Sequence, residues 1–265
     1  MAQTILITGG SFGLGLEMAR AFTGRGHKVY ACARSADKLA AAAKEIPGLV
    51  TIRADISEDA DRRRLFSEIA ARGDKLDMLI NNAAISMAHD YTNDFTLNAD
   101  RARDEIEINF AAPIELIRLF LAERRALGRD SAPATIVNVS TPGALFPLDA
   151  NPLYTATKAG FHNFTLALRR HMRGTAVKVI EVFPPALETG LTAQLDVPSE
   201  AENGGARAVA ECAERTVASI LRGEEVIAPH PQAEALVKQF MPDIGGMLDA
   251  INSAVSRKPG WDAAH

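Results

Sequence analysis

Six short runs of mostly β-branched and aliphatic residues, each followed by a stretch long enough for a helix, constrain this chain more than any other feature. The runs lie at residues 4–8, 28–33, 50–53, 78–81, 135–139 and 178–183, with a possible short seventh at 226–228. They are apolar along their length rather than alternating, which is the pattern of strands covered on both faces. Between them, residues 14–22, 36–44, 58–71, 103–123 and 154–171 carry helical patterns, and 207–221 adds another. Ser35 and Ser57 stand where an N-cap would open the second and third of these helices. A β-α repeat of this kind predicts an α/β fold: a doubly wound parallel sheet of about seven strands with helices on both faces.

No linker rich in Pro, Gly or Ser divides the 265 residues, so residues 1–265 read as a single domain. The 29 basic and 33 acidic side chains leave a net charge of −4, which disfavours nucleic acid or an anionic membrane as a partner. The densest basic run, Arg62-Arg63-Arg64, is flanked by Glu58, Asp59, Asp61 and Glu68 and reads as a solvated helix face. Two cysteines, Cys32 and Cys212, are too few for a disulfide framework. No apolar run nears the ~20 residues of a membrane span. The first strand begins by residue 4, leaving no room for a signal peptide; the expectation is a cytoplasmic protein. Three segments, about 84–101, 140–152 and 184–205, follow strand ends and fit no regular element. They lie on the sheet edge where such folds bind ligands, and are expected to form the substrate loops.

The first strand runs into Thr8-Gly9-Gly10-Ser11-Phe12-Gly13-Leu14-Gly15, which opens the first helix. Glycines here permit a tight turn, close approach of backbone to a pyrophosphate and close helix–strand packing, and the helix N-terminus offers free N–H groups to phosphate. This makes the fold Rossmann-type and predicts a dinucleotide held by Gly9, Ser11, Phe12, Gly13, Leu14 and Gly15. The spacing is Gly9-x-x-x-Gly13-x-Gly15, and the G-x-x-x-x-G-K-[ST] loop of nucleotide hydrolases is absent. At the end of the second strand an acid would select a 2′-hydroxyl, but the chain has Ala33-Arg34-Ser35. Arg34 could pair with a 2′-phosphate, so NADP(H) is favoured over NAD(H).

Tyr154 and Lys158 are four residues apart at the start of a predicted helix and share a face. A phenol with an ordinary pKa near ~10 needs a neighbouring cation to ionise near neutrality, and an ammonium one helical turn away is such a neighbour. With Asn109 and Thr141 upstream, the set can move a proton beside a hydride carrier.

These residues resemble the short-chain dehydrogenases/reductases over nearly the whole chain. The matching elements are Thr8-Gly9-(x)3-Gly13-x-Gly15, Asp55-Ile56, Asn81-Asn82-Ala83-Ala84, Asn109, Asn138-Val139-Ser140-Thr141, Tyr154-(x)3-Lys158 and the segment 184–189. Segments 105–113 and 183–191 most resemble the DltE-like oxidoreductase branch. The resemblance implies Tyr154 as general acid/base, Lys158 as the residue that binds the nicotinamide ribose and tunes the tyrosine, and Asn109 as holder of a relay water. It implies Asp55 and Ile56 beside the adenine, Asn82, Ala83 and Ala84 along the cofactor, and Pro184, Leu187 and Thr189 around the nicotinamide. The usual orienting serine, thirteen residues before the tyrosine, is here Thr141, with Ser140 beside it as the alternative hydroxyl. Ala84 and Pro185 replace two customary glycines.

His162 and His171 lie nine residues apart on one predicted helix and off each other's face, His89 and His230 have no Asp, Glu or Cys at ligand spacing, and no metal site is expected. No G-x-S-x-G elbow supports a serine hydrolase. Leu145, Phe146, Pro147, Leu148, Leu153, Leu187 and Leu191 are the candidate substrate wall, suited to a small-molecule organic carbonyl or alcohol of moderate size. The resemblance implies a homodimer or homotetramer. The competing readings are a non-catalytic dinucleotide sensor and a redox-neutral epimerase or dehydratase on the same fold.

Overall fold

Strand-forming runs and helix-forming stretches alternate in space as they do in sequence. The computed structural model describes residues 2–87, 99–187 and 205–241. Its strands are β1 (Thr4–Thr8), β2 (Lys28–Ala33), β3 (Val50–Arg53), β4 (Met78–Asn81), β5 (Ala134–Val139), β6 (Val177–Val182) and β7 (Val226–Ile227). All pair in parallel in the order β3-β2-β1-β4-β5-β6-β7. The order reverses between β1 and β4, and the crevice at that switch point is where a doubly wound sheet takes its ligand.

Successive residues on a strand face opposite sides, so a fully apolar strand feeds two cores. Ile5 and Ile7 of β1 pack with Met18 and Phe22 of α1 (Gly13–Gly24) and Val217 of α7 (Gly205–Arg222). Leu6 packs on the other side with Leu65 and Ile69 of α3 (Asp59–Ala71) and Leu116 and Phe120 of α5 (Ala112–Ala126). Complete burial of such a side chain stabilises by roughly 1.5–3 kcal/mol. The two-sided core, rather than helix propensity, therefore holds the layers together.

Helix starts follow their chemistry. Ser35 caps α2 (Ala36–Glu45), its hydroxyl accepting from Lys38 N at 3.3 Å. Ser57 does not cap α3: the helix starts after Glu58, and the Ser57 hydroxyl donates to Asp55 Oδ1 at 2.7 Å. Pro152 sits in the first turn of α6 (Pro152–His171), and Arg169, Arg170 and His171 in its last turn match the helix dipole. The stretch expected as one helix over 103–123 is instead α4 (Ala99–Ile106), a π-helical turn (Glu107–Ala111) and α5. A short 3-10 turn (Pro142–Ala144) follows β5. The sequence reading did not anticipate α8 (Pro231–Phe240), which His230 caps by accepting from Gln232 N. Among the described residues no helix is long and apolar enough to cross a membrane.

Candidate active site

A cleft of about 1060 Å³ opens at the switch point, along the C-terminal ends of β1, β2, β4 and β5. Thr8 organises its floor. Its hydroxyl donates to Ile80 O at 3.3 Å and accepts from the backbone N–H groups of Asn82 and Ala83, each at 3.0 Å. The Asn82 amide returns the link, donating to Thr8 O at 2.9 Å and Gly9 O at 3.3 Å. The glycine turn is thereby tied to the end of β4.

Gly9 (φ 65°) and Gly13 (φ 56°) occupy the left-handed region that favours glycine. A Cβ on Gly15 would collide with Gly9 O and lie 2.5 Å from Asn82 Nδ2. Phe12, at the N-cap of α1, provides no side-chain hydrogen bond, and the first turn carries no acid. A bare helix N-terminus behind a glycine cradle that admits no side chain fits the pyrophosphate of a dinucleotide. Gly9, Ser11, Phe12, Gly13, Leu14 and Gly15 all border the cleft.

At the end of β2 the cleft is bordered by Arg34, Ser35 and Lys38. Lys38 was missed in the sequence, although the Ser35 cap puts it one helical turn from Arg34. Its ammonium lies 4.9 Å from the centre of the half-exposed Phe12 ring. Asp55 and Ile56 border the same end. Asp55 Oδ1 accepts from Ser57 N at 3.0 Å, and Arg62 Nη1 reaches both Ile56 O (2.5 Å) and Glu107 Oε1 (2.9 Å).

At the other end stand Tyr154 and Lys158 on α6, Ser140 and Thr141 after β5, and Asn82, Ala83 and Ala84 after β4. Pro184, Pro185, Ala186 and Leu187 after β6 complete it. Lys158 is 3 % exposed, and its ammonium donates to Val139 O at 2.9 Å. The Nζ lies 5.9 Å from the centre of the Tyr154 ring. Burial lowers the Lys158 ammonium to about 8, with the Glu181 charge opposing that fall. The Tyr154 phenol is held well above the ordinary phenol range, first by burial and then by Glu105, a fully buried carboxylate on α4. The protein's own groups thus keep the phenol protonated.

Asn109 does not border the cleft; it sits behind it in the π turn. Its Oδ1 accepts from Ile85 N at 2.9 Å, and its Nδ2 donates to Ile85 O at 2.8 Å and Thr157 Oγ1 at 3.3 Å. The two hydroxyls after β5 differ. Thr141 Oγ1 accepts from Gly143 N at 3.3 Å, whereas Ser140 Oγ is buried without a hydrogen-bond partner among the described residues. Both border the cleft.

The expected substrate wall is only partly assembled. Leu148 and Leu187 border the cleft, but Leu145 faces a second cavity of about 1000 Å³ between α6 and α8. Phe146 turns to Phe240, with ring centres 4.8 Å apart. Polar groups missing from the sequence reading, Ser86, Asp149 and Asn151, share this end, and Asn151 Nδ2 donates to Ser86 Oγ at 3.1 Å. Thr189, Leu191 and His89 lie outside the described residues, as do most of the expected loops at 84–101 and 184–205. Among the described residues no group of His, Cys, Asp or Glu could hold a metal ion.

The sequence matches the family profile of the short chain dehydrogenases over residues 3–199. It is 38% identical over 192 residues to DltE, an uncharacterized oxidoreductase of Bacillus subtilis, covering 71% of this chain and 73% of that one. In fold it is similar to a short-chain dehydrogenase of Sphingobium yanoikuyae in complex with NADPH. That likeness has a TM-score of 0.76 at 23% identity, over 98% of this chain and 99% of that one. It is also similar to a short-chain dehydrogenase/reductase of Burkholderia phymatum in complex with NAD, with a TM-score of 0.75 at 20% identity, over 93% and 95% of the two chains.

Proposed function

The chain belongs to the short-chain dehydrogenase/reductase family of oxidoreductases, and from that premise we propose that it is an NADP(H)-dependent reductase of an organic carbonyl, with Tyr154 as the proton donor. The observation that carries this reading is the buried Tyr154–Lys158 pair at one end of the cleft, with the ammonium anchored on Val139 O. A nicotinamide bound there supplies the hydride, or accepts it from an alcohol in the reverse direction.

Gly9 to Gly15 and the α1 N-terminus would hold the pyrophosphate, Asp55 and Ile56 the adenine end, and Pro184, Leu187 and Thr189 the nicotinamide end. Arg34 and Lys38 would clamp a 2′-phosphate, two cations at the position where a hydroxyl-selecting acid would otherwise stand. Tyr154 gives its proton to the carbonyl oxygen, and the Lys158 ammonium stabilises the phenolate left behind. Burial and Glu105 keep the phenol protonated, so it carries the proton that reduction would use. Thr141 would be the orienting hydroxyl by position; Ser140, buried without a hydrogen bond among the described residues, is the alternative. Asn109 supports the wall of the site through Ile85.

The test is NADPH oxidation over a panel of ketones, aldehydes and quinones, paired with fluorescence titration of NADPH and NADH. Tyr154→Phe is expected to lose at least about 10²-fold in turnover while still binding NADPH. Arg34→Ala is expected to weaken NADPH and spare NADH. Full turnover in Tyr154→Phe would sink the mechanism, and tighter NADH binding untouched by Arg34→Ala would sink the cofactor choice.

A further inference from the structure

Behind Lys158, away from the cleft, is a buried acid–imidazole pair that the reaction above does not use. Glu181 lies on β6 with a fully buried side chain. His162 stands one helical turn beyond Lys158 on α6, so Tyr154, Lys158 and His162 follow one another along the same helix face. Its Nδ1 is 3.0 Å from both Glu181 oxygens, and its ring packs edge-on against Phe183, with centres 5.7 Å apart. In the β5–β6 register Glu181 is level with Asn138, one residue before the Val139 carbonyl that receives the Lys158 ammonium. Asn138 points toward α6, where it bonds Thr165, and parallel neighbours share a face, so Glu181 is on the α6 side as well.

We propose that Glu181, fixed by His162, is a positioning residue for Lys158: it provides the ammonium's counter-charge from β6 and keeps it cationic on the Val139 carbonyl. A buried carboxylate is costly unless paired, and the fold places His162, Arg169 and Lys158 around this one. Other charged groups also face the carboxylate. Arg169 also feels its charge and is a second cation near it; its guanidinium donates to Val179 O (3.0 Å) and Glu225 O (2.8 Å) and lies 3.8 Å from a Glu225 carboxylate oxygen. Glu225 meets β6 through its backbone, as acceptor for Glu181 N. On the cleft side the lysine's neighbours are Tyr154 and, acting on Tyr154 from α4, Glu105. The direction in which Glu181 moves the lysine's titration, upward against burial, agrees with the placement.

The inference rests on Lys158 serving the proposed reaction, but its main readout does not require turnover. In full-length protein enriched with carbon-13 at lysine Cε, the Lys158 NMR signal is assigned by its loss in Lys158→Arg. Glu181→Gln should lower the Lys158 titration midpoint by about one pH unit. Glu181→Met, apolar and of similar length, should lower it equally, so the result does not hang on the folding of one variant. His162→Asn, which keeps an N–H donor near the Nδ1 position, should leave it at the wild-type value. A midpoint unmoved by both Glu181 variants overturns the proposal, as does an equal fall in His162→Asn. If NADPH turnover exists, its alkaline limb should move to lower pH in Glu181→Gln, through kcat more than KM. A shifted midpoint in a protein that reduces nothing leaves the counter-charge standing and sinks the reductase; an unmoved midpoint in an active enzyme does the reverse.

Discussion

At the scale of single residues, the cofactor end of the cleft is built by what is left out. Gly15 has no room for a methyl group, because its Cβ would meet Gly9 O and Asn82 Nδ2, both already bonded to each other. Gly15→Ala must push the glycine turn away from the end of β4, and overpacking of this kind costs about 1–3 kcal/mol. Urea unfolding should record that loss, and NADPH titration should record weaker binding. Gly24, with nothing within 4 Å of its Cβ and a helical position in α1, is the matched control. Gly24→Ala should stabilise by about 0.4–1 kcal/mol and leave binding unchanged. Equal effects at the two positions would refute the argument. The glycine turn and Tyr154–Lys158 were legible because spacing alone places them on a helix start and a helix face. Glu105, Glu181 and His162 were not, because their roles depend on partners brought together by the fold from distant parts of the chain; Lys38 had a local signal in the Ser35 cap.

At the scale of elements, the π turn between α4 and α5 decides how the cleft wall is held. The sequence Glu107-Ile108-Asn109-Phe110-Ala111 has nothing locally against a continuous α-helix, and the sequence reading ran one straight through it. The interruption accompanies a pairing 24 residues back in the chain: the Asn109 amide bonds both the N–H and the C=O of Ile85. Turns of this type recur at functional sites, where they re-aim a side chain. Asn109→Ala leaves the two Ile85 groups to find other partners, at a cost of about 1–3 kcal/mol for each one left unsatisfied. The expected outcome is faster hydrogen exchange at the Ile85 amide and lower stability to urea; unchanged protection of that amide would refute the link. Elsewhere the elements were easier to read. Strands buried on both faces announce themselves as apolar runs, and β1 to β4 match their expected bounds. β5 and β6 each start one residue early, since Ala134 and Val177 pair with each other across the sheet. Ser57 failed as a cap because the Asp55 carboxylate takes its hydroxyl first. The wall expected from 140–152 scattered because the 3-10 turn at Pro142–Ala144 sends Leu145 and Phe146 toward α8 rather than into the cleft.

At the scale of the whole molecule, the two cores on either side of the sheet share an alkaline weakness. Cys32 belongs to the core beneath α3 and α5, and Cys212 to the one beneath α1 and α7. Burial pushes each thiol up to about 12 from its ordinary 9.0. Between those values the unfolded chain has lost protons that the fold retains, so the stability present below pH 9 is lost as pH rises. Tyr154 and Tyr30, both raised by burial, add to the loss above pH 10. Lys158 works in the opposite sense. Its folded value of about 8 lies below the ordinary 10.5, so burying the ammonium costs stability below pH 8, and that cost is relieved between 8 and 10.5. Each group contributes a slope of about 1.4 kcal/mol per pH unit. Of these groups, Lys158 alone acts between pH 8 and 9, so its contribution to stability rises there; from pH 9 the two thiols outweigh it, and above 10 the phenols join them. Urea unfolding at half-unit steps should therefore find a stability maximum near pH 9. Between pH 9 and 10 the double variant Cys32→Ala/Cys212→Ala should reverse the slope from falling to rising, whatever it loses in absolute stability. A slope that survives removal of both thiols would mean that the alkaline loss comes from other groups, and that the two cores do not titrate as their burial demands.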